Sequence, residues 1–136
     1  MENHRKIIRF TLWWGIIADL FETIRMIFPN LFITTAGLQA SVNREIRFAL
    51  LYGAPVMFGW VLILFWAERK PVERKCVFLC LIPVILAYAA VEIYGIISGL
   101  LVIQQTIPAL ILQGILLTLT TLSYFLARNI EKSDNT

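Results

Sequence analysis

Gly15-Ile16-Ile17-Ala18-Asp19-Leu20-Phe21-Glu22-Thr23-Ile24-Arg25-Met26 sets three formal charges inside a segment that otherwise reads as membrane-spanning. Placing one charge near a bilayer centre costs at least ~2.5–3.5 kcal/mol on insertion scales. A chain that keeps Asp19, Glu22 and Arg25 at that depth has to give them partners, a proton or a water-filled cavity. The polar chemistry of the protein is therefore expected here.

The whole chain supports a membrane setting for that stretch. Its 136 residues are 59% hydrophobic and only 15% charged, with a mean hydropathy of +0.76. Soluble domains hold about 25% charged residues, and a chain this short has too much surface to cover with fewer. The net charge of +3 comes from basic residues gathered at segment ends rather than along one stripe, which argues against nucleic acid as a partner. No metal site is expected, because the single histidine, His4, lies in a polar N-terminal head. No cofactor motif is present. Cys76 and Cys80, the only cysteines, stand one helical turn apart and are expected to be small core residues.

Working outward, apolar residues run over 7–28, long enough to cross ~30 Å of hydrocarbon. Pro29 ends that span, since it cannot continue the helical hydrogen-bond ladder. A polar connection over 30–47 follows, either a lid over a pocket or a plain loop with a short interfacial helix. Residues 48–67 form a second span without a formal charge, in which Ala49 and Gly53 would let another helix approach closely. A charged turn, Glu68-Arg69-Lys70-Pro71-Val72-Glu73-Arg74-Lys75, leads to a third span over 76–103. There Gly95 and Gly99 again suggest close helix packing. The fourth runs over 107–127, with Pro108 suited to its first turn, and 128–136 is a polar tail. The predicted fold is all-α: one polytopic integral membrane domain built as a four-helix transmembrane bundle.

Orientation follows from Lys and Arg, which concentrate in cytoplasmic loops. Arg5, Lys6, Arg9, Arg69, Lys70, Arg74, Lys75, Arg128 and Lys132 fall on one side, Arg44 and Arg47 on the other. Both termini are thus expected in the cytoplasm, and the chain in the cell (inner) membrane.

At 1.5 Å per residue, Asp19 lies roughly 18 Å and Glu22 roughly 22 Å along the first span, and Glu92 roughly 24 Å along the third. Gln113 lies roughly 9 Å below the outer edge on the fourth. With Tyr88 and Arg25, these groups converge on one level in the outer half. Leu12, Gly15, Asp19, Glu22, Thr23 and Met26 share one side of the first helix, and Tyr88, Glu92, Gly95 and Gly99 one side of the third. The two stripes are expected to face each other or to flank one cavity. Glu22 and Arg25, at i and i+3, can pair. Asp19 and Glu92 are then left as the proton-exchanging or cation-binding pair.

Met57-Phe58-Gly59-Trp60, with the stretch from Trp66 through the charged turn to Lys75, looks like a signature of an uncharacterised bacterial or archaeal family, and the four-span plan alone resembles, in architecture, the small four-helix membrane proteins grouped as DoxX-like and BphX-like. That likeness implies the bundle architecture and assigns no chemistry. Three functions stay open. One is a binding or transport protein whose acidic cavity holds a small cationic or amphipathic ligand, with proton exchange. A second is a structural or accessory subunit whose buried charges serve assembly with a partner or as a homodimer. The third is an intramembrane enzyme using carboxylates as acid and base, for which no nucleophile–base arrangement is visible.

Overall fold

A computed structural model describes residues 2–134, apart from the side chain of Asp134. Met1, Asn135 and Thr136 of the expected polar ends lie outside the described residues. Among those described there are five α-helices and no strand: α1 (Glu2–Ile27), α2 (Pro29–Ala36), α3 (Arg44–Glu68), α4 (Cys76–Ile97) and α5 (Ile103–Asp134). Three of them, α3, α4 and the Ile103–Ser133 stretch of α5, are long and apolar enough to cross a membrane. With 26 residues, α1 reaches about 39 Å at 1.5 Å per residue; its charges set it apart from those three.

The expected count of four helices is corrected to five by α2. Pro29 breaks α1, yet its fixed φ and missing N–H suit the first position of a new helix, and α2 starts there. Gly37, at φ 68, closes α2 in the left-handed region that favours glycine. Asn43 then caps α3, its side-chain oxygen accepting from the Ile46 N–H at 2.8 Å.

Boundaries shift for local reasons too. Helix α4 stops at Ile97 rather than at 103, because Gly99 turns left-handed (φ 72) and the Leu100 and Leu101 N–H groups donate back to the Gly95 carbonyl at 2.9 and 3.0 Å. Helix α5 already begins at Ile103, so Pro108 falls inside it instead of in its first turn. Its far end runs past 127 because Ala127 and Ile130 are buried in the core and Glu131 pairs with Lys75. The polar head is helical as well, with Lys6 paired to Glu2 at 2.7 Å.

Around the bundle the helices follow the order α3, α1, α5, α4. Helix α1 packs along both α3 and α5, and α5 along α4, whereas α3 and α4 barely touch. No backbone contact joins α1 to α4 among the described residues. The least apolar long helix is therefore the one with the most protein around it. Of its charges, Asp19, Glu22 and Arg25 are partly withdrawn from the surface, whereas Glu2, Lys6 and Arg9 remain exposed.

The two ends differ. At the end holding the charged turn, which we call the base, Arg9 of α1 grips Glu68 of α3, with Nε donating at 2.7 Å. Lys75 pairs there with Glu131, and Arg74 covers the Trp66 ring at 3.8 Å. Directly above lies the apolar core, Ile8, Leu12 and Ile16 of α1 interlocking with Val61 and Leu64 of α3, Phe78 and Leu81 of α4 and Ala127 and Ile130 of α5. At the opposite end the α2–α3 and α4–α5 connections clip together. The Val102 N–H donates to the Gly37 carbonyl at 2.8 Å and the Gln39 N–H to the Leu100 carbonyl at 2.9 Å.

The outer surface is apolar. The chain exposes 8681 Å², against about 7,300 Å² for a soluble monomer of its mass. Phe48, Tyr52 and Ile97 are 70%, 74% and 79% exposed. Contiguous apolar surface of this kind is rare on soluble monomers. Cys76 and Cys80 lie on it, both exposed, which corrects their expected place in the core: α4 buries Val77, Phe78, Leu81 and Ile85 instead.

Candidate functional site

Above the apolar core, side chains from α1, α4 and α5 form a polar cluster. Helical spacing puts Asp19, Glu22 and Thr23 on adjoining positions of α1, and Thr23 is buried. Its hydroxyl donates to the Asp19 carbonyl at 2.7 Å, a local bond that spares a buried donor from going unpaired.

Arg25 donates through Nη1 to Glu22 Oε2 at 2.6 Å. The pair is largely withdrawn from the surface, with side chains 14% and 23% exposed. Two aromatic rings complete its surroundings: the guanidinium carbon lies 5.1 Å from the Phe32 centroid and 5.8 Å from that of Phe21. Cation–π attraction strengthens where water is excluded, so Arg25 also holds α2 against α1.

Across the bundle, Gln113 Nε2 of α5 donates to Glu92 Oε1 of α4 at 2.9 Å. Tyr88, one turn before Glu92, sends its hydroxyl to Met57 Sδ of α3 at 3.0 Å. Electrostatics tie these pairs together. The charge of Glu22 acts on Asp19, Tyr88 and Glu92, that of Arg25 on Glu92, and that of Asp19 on Tyr88. The polar groups of α1 and α4 thus act on one another through charge, and, among the described residues, none of the hydrogen bonds or ion pairs of these groups joins the two helices.

Of the six expected residues, Asp19, Glu22 and Arg25 form one group on α1 and Tyr88, Glu92 and Gln113 another on α4 and α5, linked by the charge of Glu22. Their surroundings differ. Glu22 has a cation and Glu92 an amide, while no hydrogen bond or ion pair among the described residues reaches the Asp19 carboxylate. Arg25 Nε, Glu92 Oε2 and Gln113 Oε1 are buried atoms without a protein partner. If all three acids are ionised, they outnumber the one arginine by two charges.

The small-residue pair Gly95 and Gly99 does not seat a neighbouring helix. A Cβ at Gly95 would come within 2.5 Å of the Leu101 side chain, so Gly95 makes room for the α4–α5 connection. Gly53 does meet another helix, at 3.4 Å from Met26 Sδ to a Cβ built there. Sequence reasoning missed Met57 and Phe32. Neither residue type signals a polar site, and both are recruited by the packing of distant segments. It also missed Thr11, whose buried hydroxyl accepts from Ser123 at 2.8 Å across the α1–α5 seam.

Two shallow apolar grooves run along the outer face of α5, around Gly114 and Thr118 and around Thr121 and Phe125, and neither contains a cluster residue. No family model, curated protein or solved structure matches this chain.

Proposed function

We propose that this chain is a multi-pass protein of the cell (inner) membrane, spanned by α1, α3, α4 and α5 with both termini in the cytoplasm. Its Asp19 cluster binds a small cationic or amphipathic ligand in the outer half of the bilayer and exchanges a proton for it. Three apolar helices and a fourth shielded by its neighbours support the membrane setting, and the basic end of the bundle supports the orientation.

The observation that carries the binding function is the contrast among the acids. Glu22 and Glu92 have side-chain partners, and no hydrogen bond or ion pair among the described residues reaches the Asp19 carboxylate. A carboxyl group in that position satisfies itself with a proton or with a bound cation, and swapping one for the other couples binding to proton release. Glu92 adds a second oxygen ligand from the facing helix, and Tyr88 a polarisable ring beside it. The Glu22–Arg25 pair holds the level of the site.

Titrating purified protein with alkylamines of increasing chain length tests this. Wild type should show a saturable rise in unfolding temperature and release a proton to a pH-sensitive dye. Asp19→Asn should lose both signals, and Glu92→Gln should weaken the first. Equal responses in wild type and both variants would rule the site out.

One observation favours the structural or accessory subunit instead: two of the three acids already spend their charge within the chain. That role requires a copurifying partner which is lost when Glu22 or Arg25 is neutralised.

A further inference from the structure

We propose that the rim of the base beside Trp66 is a docking site for an anionic phospholipid. Arg69 and Arg74 hold its phosphodiester, and its acyl chains lie along the Trp66, Leu62 and Phe58 stripe of α3. This rests on the membrane placement proposed above and is independent of the Asp19 cluster.

The base carries more positive charge than its own acids can answer. Residues 2–9, 68–75 and 128–134 hold nine Lys and Arg against five Asp and Glu, while the rest of the chain holds three against four. Most of those acids are already committed. Glu2 pairs with Lys6, Glu68 with Arg9, Glu73 with Lys70 and Glu131 with Lys75. No ion pair among the described residues reaches Arg69 or Arg74.

Both guanidinium groups lie over aromatic rings at the end of α3 instead. Arg69 is 5.4 Å from the Phe65 centroid and Arg74 3.8 Å from that of Trp66. Arg74 also donates through Nη1 to the Trp66 carbonyl, which ties its side chain to the helix end. Stacking occupies the flat face of a guanidinium and leaves N–H groups along its edge. That planar edge matches the oxygens of a phosphate.

The surface under these rings fits the rest of a lipid. Phe58, Leu62 and Trp66 follow one another at a helical turn's spacing and are 46%, 55% and 50% exposed. Tryptophan in this position marks the level of the headgroups. An occupant that meets two unpaired guanidinium groups at one end and an apolar stripe below needs an anionic head and apolar tails. The excess positive charge favours a headgroup of net negative charge over a zwitterionic one.

Native mass spectrometry tests this on the full chain, stripped of lipid in a nonionic detergent. The protein is titrated with phosphatidylglycerol or with phosphatidylcholine of the same acyl chains, and bound lipids are counted. Wild type should prefer phosphatidylglycerol, with about five-fold of the preference lost in each of Arg69→Gln and Arg74→Gln. Most of it should vanish in the double variant. Trp66→Leu, which removes the ring under Arg74 and leaves every charge in place, should weaken phosphatidylglycerol binding several-fold. Arg44→Gln/Arg47→Gln removes as much positive charge from the opposite end and should leave the preference intact.

Equal affinity of wild type for the two lipids would overturn the site, as would a preference that survives the double variant. A loss just as large in Arg44→Gln/Arg47→Gln would reduce it to net charge, and displacement of the lipid by excess inorganic phosphate would make it a free-anion site. Arg74 also braces the turn, so Arg69→Gln and Trp66→Leu decide the matter if Arg74→Gln does not fold by circular dichroism. Failure of the membrane placement looks different: the protein then stays in solution without detergent and takes up neither lipid.

Discussion

Gln113 Nε2 on α5 and Glu92 Oε1 on α4 are 2.9 Å apart, so an amide about three turns into one helix satisfies a carboxylate of its neighbour. Glu92 Oε2 and Gln113 Oε1 are both buried without a protein partner. The bond is thus the main compensation for placing both groups there. Removing one partner from a buried pair leaves the other with its full desolvation cost, about 1–3 kcal/mol and more for a charge. Gln113→Leu should lower unfolding stability in detergent by that order, and Glu92→Gln should retain most of it. The double variant Glu92→Leu/Gln113→Leu should recover much of the loss. A double variant as unstable as the sum of the two singles would show that the bond carries no coupling.

The Glu22–Arg25 pair makes a sharper case, because both members are charged and largely buried. Breaking such a pair from one side costs about 3–5 kcal/mol. Arg25→Gln is expected to destabilise the protein by that order, and Glu22→Gln/Arg25→Gln much less. Phe32→Ala should cost about 0.5–2 kcal/mol through the lost cation–π contact, and it should increase hydrogen exchange in α2. Thermal unfolding and amide exchange of the three variants read this directly. An Arg25→Gln protein as stable as wild type would mean that the pair is hydrated and loosely held.

Three glycines separate backbone strain from crowding. At Gly99 the φ of 72 leaves open space for a Cβ, so Gly99→Ala meets only the left-handed penalty, about 1–2 kcal/mol. Gly37→Ala meets that penalty and also the Gln105 side chain, 2.7 Å from the new Cβ, so it should cost more. Gly95→Ala adds a Cβ 2.5 Å from Leu101 Cδ1 in ordinary helical geometry. Its loss should be relieved by Leu101→Ala, whereas the loss in Gly99→Ala should not. Chemical denaturation of the single and paired variants gives the order.

Cys76 and Cys80 report orientation. Both are exposed, and Cys76 adjoins the basic turn that the proposed topology places in the cytoplasm. Cys80 lies roughly 6 Å further along α4. A membrane-impermeant maleimide should label Cys76 quickly in inside-out vesicles, Cys80 more slowly, and neither in right-side-out vesicles. Fast labelling from the outer side would invert the proposed topology.

Much of the architecture was legible in the sequence because it depends on local properties. Hydropathy over about twenty residues marks α3, α4 and α5, the charged turn between Glu68 and Lys75 separates two of them, and Pro29 ends α1. Rise per residue was enough to bring Glu92 and Gln113 to one level, and i,i+3 spacing was enough to pair Glu22 with Arg25. Helix ends were less legible. Gly99 stops α4 by adopting a left-handed conformation, while Ala127 and Ile130 prolong α5 by burying against helices far away in the chain.

What the tertiary structure alone decided is who meets whom. Periodicity gives each helix a polar face but neither its rotation nor its place in the ring, so nothing local could show that α3 and α4, consecutive in the chain, would barely touch. For the same reason Met57 and Phe32, apolar by type, entered a polar cluster, and Cys76 and Cys80 turned outward. Level along the bilayer axis is set by counting residues within one helix; partnership across the bundle is set by the packing of all of them at once.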